Sequence, residues 1–150
     1  MKILSYNCRG LARLDKKLAL RWLLSTDSLD IIFLQETLGQ SCDIERTLEI
    51  FLSGWKFSGL DAHDHSGGLA LGINTRTIKE ISCWGGSGFI GVDVYSVELG
   101  TPFRIVNIYG PFLNHPAFWD HVLDSKQFST GNLIVGGDLN FSIGFIKSWG

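Results

Sequence analysis

The run Ile31-Ile32-Phe33-Leu34, set between Asp30 and the polar pair Gln35-Glu36, limits the possible folds more than any other stretch of this sequence. A strand with alternating pattern needs cover on one face only, whereas a strand apolar at successive positions must be covered on both. Leu133, Ile134 and Val135 read as a second buried strand near the other end of the chain. Buried strands of this kind belong to layered α/β architectures.

The segments between them fit that class. Lys2 to Asn7 reads as a strand ending in a polar residue, followed by a turn at Arg9-Gly10. Leu11, Leu14, Leu18 and Trp22 then recur at helical spacing, with Leu23 and Leu24 widening the stripe. Beyond the Ile31 strand, Ser41 or Asp43 serves as cap for a second amphipathic helix carrying Ile44, Leu48, Phe51 and Leu52. The opening is therefore βαβα. From Trp55 the pattern changes to short strands, "WKFSGLDA", "GGLALGI", "TIKEISCW", "FIGVDVYSVEL" and "PFRIVNIYG", as expected for hairpins packed on another layer. Asn114 and Pro116 read as N-cap and early helix position before "AFWDHVLDS". After Leu133 to Val135, Gly136-Gly137 predict a tight turn at the strand end. No repeat, linker or low-complexity segment interrupts the chain.

A length of 150 residues suggests one domain with room for a core, and 45% hydrophobic against 19% charged residues is a soluble, globular balance. The net charge of −2 gives the whole chain no electrostatic footprint for nucleic acid, leaving only a local basic groove. Cys8, Cys42 and Cys83 are odd in number and lack CxxC spacing, which argues against a disulfide framework and a zinc site. A reducing interior, nuclear or cytoplasmic, fits best. "MKILSYNCRG" does not read as a signal peptide, and no aliphatic run is long enough to span a bilayer, so neither secretion nor a membrane is expected.

One feature repeats along the chain: buried strands stop at Asn7, at Glu36, near Tyr109 and at Asp138/Asn140. A rigid strand fixes a side chain while the loop after it exposes it, which is how α/β folds build sites. Mg²⁺ takes oxygen ligands, one or two carboxylates among them, and keeps waters for substrate oxygens to replace, a role that suits Glu36. Beside such an ion Asp138 can orient or deprotonate a water attacking phosphorus, with Asn140, Asn7 and Tyr109 positioning the phosphate. Arg9 and Asn114 are further candidates for phosphate contact. Each has a plainer reading: Asp138 as an Asx-turn residue, Glu36 as a cap or solvated loop acid, Asn7 as a strand end, Tyr109 as a core-edge aromatic, Arg9 as a solvated turn residue.

Taken in order, "SYNCRG", "LQET", "SGGLALGI", "VNIYGP" and "VGGDLNFS" resemble the endonuclease/exonuclease/phosphatase superfamily, which includes abasic-site endonucleases and DNase I. Within it, "MKILSYNCRGLA" with "SGGLAL" and "GGDLNF" is most similar to the endonuclease domain of plant non-LTR (LINE-type) retrotransposons. The resemblance implies a four-layer α/β/β/α sandwich and Mg²⁺-dependent cleavage of DNA phosphodiesters, with Mn²⁺ as a substitute ion. It implies metal binding by Glu36, with Asn7 beside the metal, and phosphate contact by Tyr109. Asp138 would handle the nucleophilic water, and Asn140 would stabilise the pentacovalent phosphate. The family pattern continues with a further aspartate and a Ser-Asp-His motif that these 150 residues do not contain. Asp64-His65-Ser66 echoes that motif but precedes "GGLALGI" and reads as a solvated loop, and His115 and His121 flank the predicted helix.

The expectation is therefore a single incomplete domain over residues 1–150, a partial sandwich whose activity is lowered by several orders of magnitude. The alternatives are a non-catalytic retroelement fragment and a phosphomonoesterase of the same fold. An incomplete second sheet would leave an apolar face and unpaired edges exposed, and marginal solubility is expected. A sharp, cooperative thermal unfolding transition of a monomeric preparation would contradict this.

Overall fold

The structure, a computed structural model, describes residues 1–26, 28–62, 67–111, 115–129 and 131–140. Strand β2 (Ile31–Gln35) is buried at every position, as its composition requires. Its alternate residues face two different cores. Ile32 and Leu34 pack with Leu20 and Leu24 of helix α1 (Leu14–Thr26) and with Ile44 and Leu48 of helix α2 (Ser41–Phe51). Ile31 and Phe33 point the other way, into a core shared with a second sheet.

The first sheet has the order β1-β2-β4-β3, with β1 (Ile3–Asn7) parallel to β2, and β4 (Leu69–Asn74) antiparallel to both β2 and β3 (Trp55–Leu60). The second runs β5 (Ile78–Gly86), β6 (Phe89–Ser96), β7 (Thr101–Tyr109) and β8 (Leu133–Asp138); it is antiparallel except for the parallel pair β7 and β8. Period-2 alternation divides β7 as it divides β2. Ile105 and Tyr109 face the inter-sheet core, while Val106 and Ile108 face outward, where Val122 of helix α3 (His115–Asp124) covers them. Helices, sheet, sheet and helix form four layers, the α/β/β/α order expected, and the fold is α+β. No helix among the described residues is long and apolar enough to cross a membrane.

Four local expectations change. In α1 Leu24 of the expected stripe is buried, and so is Leu20 outside it, while Leu14, Leu18 and Trp22 are exposed at 62%, 49% and 68%. The helix is apolar on two faces, and spacing alone cannot say which of them meets the sheet. Helix α2 starts at Ser41 with Gln40 as a cap that makes no side-chain bond; the Ser41 N–H is instead satisfied from a distance, by Asp61 Oδ1 at 2.6 Å. Strand β6 ends at Ser96, short of Leu99. Gly136 and Gly137 lie within β8 and are not a turn after it. They permit close approach: a Cβ on Gly136 would meet the Phe33 ring, and one on Gly137 would run into the Ile108 carbonyl.

The open edge of β3 is closed by α2, because Glu49 Oε1 accepts from Phe57 N (3.2 Å) and Glu45 Oε1 from Gly59 N (2.5 Å). On the outer face of the second sheet a charged knot ties β6 to β7. Arg104 donates to Asp93 through Nε (2.6 Å) and Nη2 (3.1 Å), stacks over Trp84 at 5.0 Å, and reaches the Gln127 carbonyl in the 3-10 turn Lys126–Phe128. The Arg104 guanidinium, with the Ser82 hydroxyl, holds the Asp93 carboxyl below the usual aspartate range against the effect of its partial burial. A depressed folded value means that the unfolded chain takes up the proton first, so this stabilisation is present above the ordinary aspartate value and is lost as pH falls through the folded one. Asp93→Asn is expected to lower stability by about 1–2 kcal/mol at pH 7. In urea titrations repeated at falling pH, the gap to the unsubstituted chain is expected to close only below about pH 4.

Candidate active site

Two parallel strand pairs, one in each sheet, end on the same side of the sandwich. In the first sheet Asn7 is level with Gln35, and in the second Tyr109 is level with Asp138. Pairing continues past the strand ends and fixes the loops: Cys8 N bonds Gln35 O (2.8 Å), Gly10 N bonds Glu36 O (2.7 Å) and Gly110 N bonds Asp138 O (2.8 Å). Lys16, from the first turn of α1, donates its Nζ to the Cys8 carbonyl (3.2 Å) and to that of Arg9. The loop after Asn7 is thus pinned from both sides.

The side chains at these ends converge. Asn7 Nδ2 donates to Glu36 Oε1 at 2.8 Å and to Asp138 Oδ2 at 3.0 Å, so one amide nitrogen joins an acid of the first sheet to an acid of the second. Its Oδ1 accepts from Arg9 N at 3.1 Å. The Tyr109 hydroxyl donates to Glu36 Oε1 at 3.0 Å. Asn140 N donates to Asp138 Oδ1 at 3.2 Å, and Asn140 Nδ2 to the Gly110 carbonyl at 2.6 Å. The Asx-turn reading of Asp138 therefore describes one carboxylate oxygen and the site reading the other.

Tyr109 is 6% exposed; burial first, then the hydrogen bond and charge of Glu36, raise its phenol above the ordinary tyrosine value, so it stays a proton donor at neutral pH. Burial also pushes the Cys8 thiol up to about 12, which removes it as a nucleophile. Backbone strain gathers here too. The non-glycine residues with positive φ among the described residues are Arg9 (47°), Glu36 (52°), Leu38 (52°) and Asn140 (50°), and all lie in these loops.

Glu36 and Asp138 share one nitrogen, so their bonded oxygens lie within about 6 Å of each other. Glu36 Oε2 accepts no hydrogen bond from any described residue. No cluster of three or more His, Cys, Asp or Glu suited to a metal occurs among the described residues. Two close carboxylates with a spare oxygen, next to a phenol and amides, form a hard oxygen donor set. That set fits Mg²⁺ held by one or two carboxylates and water, as opposed to an all-protein cage.

The structure brings together Asn7, Glu36, Tyr109, Asp138 and Asn140. Arg9 is exposed at the rim. Asn114 lies outside the described residues, as do His63 and His65. His121 sits on α3 with its ring 6.5 Å from that of Phe89, among residues of the outer core and away from this cluster. Two supporting residues were not picked out from the sequence. Asn107 carried a signal, a lone amide in the apolar run "RIVNIY", whereas Lys16 carried none, since a lysine in a first helical turn is ordinary.

The arrangement matches known proteins in fold. None of the curated proteins matches the chain. Among solved structures, a mannosyl-6-phosphatase of Bacteroides thetaiotaomicron VPI-5482 is similar at 14% identity and a TM-score of 0.68, with 92% of this chain and 64% of that one covered. D. rerio TDP2 complexed with single strand DNA product gives 16% identity and a TM-score of 0.71, over 94% of this chain and 61% of that one. The endonuclease domain of TRAS1, a telomere-specific non-LTR retrotransposon, gives 14% and 0.65, over 93% and 60%. This chain thus spans less than two thirds of the length of these three structures. The model of the Endonuclease/Exonuclease/phosphatase family matches residues 4–146, nearly the whole sequence, and the chain belongs to that family.

Proposed function

We propose that this chain carries the phosphodiester-cleaving centre of a Mg²⁺-dependent endonuclease acting on DNA, inside the cell, and that it is akin to the endonuclease domains of plant LINE-type retrotransposons. The observation that carries the reading is the Asn7 amide held between Glu36 and Asp138, with Tyr109 and Asn140 at the same strand ends. Glu36, with Asn7 beside it, would hold a Mg²⁺ ion, which when bound supplies positive charge against the negative charge that develops on the phosphate oxygens. Asp138 would orient an attacking water and accept its proton. Asn140 has its backbone fixed by Asp138, and its amide is available to the phosphate once it leaves the Gly110 carbonyl. Tyr109, kept protonated, donates to a phosphate oxygen. Arg9 at the rim, and Asn114, would contact phosphates further along the backbone. In this scheme the protein contributes positioning and charge stabilisation, and no covalent intermediate is needed.

The family also contains phosphatases, and a phosphomonoester would use the same centre. A retroelement fragment without catalysis is the remaining alternative.

Supercoiled plasmid is the first test substrate. Nicking that needs Mg²⁺ and falls by about 10²-fold or more in Asp138→Asn is the expected result. Phosphate release from a sugar phosphate without nicking would replace the endonuclease with the phosphatase, and folded protein inactive on both would leave the non-catalytic fragment. A second measurement does not depend on turnover: Mg²⁺ is expected to raise the melting temperature of the unsubstituted chain and to do so much less in Glu36→Gln. Without Mg²⁺, Asn7→Ala removes the donor shared by the two acids and is expected to lose about 1–3 kcal/mol in urea unfolding.

A further inference from the structure

Of the residues held in left-handed backbone at the strand ends, Glu36, Asn140 and Arg9 have side chains with a place in the proposed centre; Leu38 has none. Asparagine tolerates that region comparatively well, whereas leucine does not. Burial does not compensate, because Leu38 is 57% exposed. Nor does the backbone require leucine: Leu38 N donates to Gly67 O at 2.7 Å, a bond that glycine or asparagine would make with less strain. The side chain is propped over Gly10, where an added Cβ would stand 3.2 Å from Leu38 Cδ1. An isobutyl group is thus held out at the rim of the acid cluster, two residues past Glu36 and against the loop that carries Arg9.

Strain of this kind persists where the surrounding structure enforces it for a use. Resting on the phosphodiesterase reading above, we infer that Leu38 is a substrate contact, an apolar rest for the sugar or base of the nucleotide next to the cleaved phosphodiester. Phosphates are drawn to charge and amide donors; sugar carbons and base faces are the apolar surfaces of a nucleic acid, and side chains that pack on them are sequence-tolerant. A small polyhydroxylated phosphomonoester has no base face and offers far less of such surface. Leu38 therefore points to a nucleotide chain as the substrate class.

The test uses Leu38→Gly, Leu38→Asn and Leu38→Met, read by thermal melting and by fluorescence anisotropy with a short labelled DNA duplex in EDTA at fixed salt, followed by nicking kinetics in Mg²⁺. The glycine and asparagine variants are expected to melt at or above the temperature of the unsubstituted chain, because the backbone relaxes, yet to bind DNA about five- to tenfold more weakly. In nicking they should raise KM more than they lower kcat. Leu38→Met, still apolar, should bind within about twofold. Glycine and asparagine variants that bind as tightly as the unsubstituted chain would overturn the contact, whether or not they lose stability, and a loss of stability would assign Leu38 to packing on Gly10. An unsubstituted chain that neither binds nor nicks DNA would remove the phosphodiesterase reading itself, and this inference with it.

Discussion

A buried bridge of two amides holds the sheets in the relation that everything at the strand ends requires. Gln35 and Asn107 are 1% and 0% exposed, and Gln35 Nε2 donates to Asn107 Oδ1 across the inter-sheet core at 2.7 Å. Asn107 Nδ2 donates to the carbonyls of Leu34 and Ala70, each at 3.0 Å, and Gln35 also reaches Ser5 Oγ at 3.3 Å. Four strands, β1, β2, β4 and β7, meet at this junction. Apolar packing between sheets is non-directional and tolerates sliding, whereas amide pairs in a dry core tolerate very little, because an unmade bond there costs about 1–3 kcal/mol.

The consequence lies one or two residues along each strand. Gln35 precedes Glu36, Asn107 stands two residues before Tyr109, and Asn107 is level with Gly136, two residues before Asp138. With the sheets locked at this level, the acid of the first sheet meets the phenol of the second directly and the acid of the second through the Asn7 amide. Gly136 and Gly137 serve the same end, since any side chain there would push β8 away from Phe33 or from β7. The strain at Arg9, Glu36, Leu38 and Asn140 is what the loops bear for turning sharply enough to keep these groups together.

Much of this was legible in the residues. The doubly apolar runs announced layers, and every element expected from spacing is present among the described residues. The polar residues that end the buried strands, Asn7, Glu36, Tyr109 and Asp138, are those that meet, because a strand end is both rigid and open and leaves a local mark in the pattern. What failed did so for want of a third dimension. Leu14, Leu18 and Trp22 looked like a core face, yet of the expected stripe in this helix it is Leu24 that is buried, beside Leu20, which spacing had not included. The cap of α2 came from Asp61, twenty residues away, and the glycine pair of β8 proved to mark close approach and not a turn.

The sequence by itself determined which segments are strands and helices, that the strands are covered on both faces, and which strand ends carry polar groups, because periodicity and composition act over a few residues. Only the tertiary structure decided that Asn7 lies between two acids 102 residues apart, Glu36 and Asp138, and that its amide hydrogens face them both. That choice depends on the sheets meeting in one relation, fixed by buried polar bonds and close backbone contacts between distant segments, and no local pattern records it.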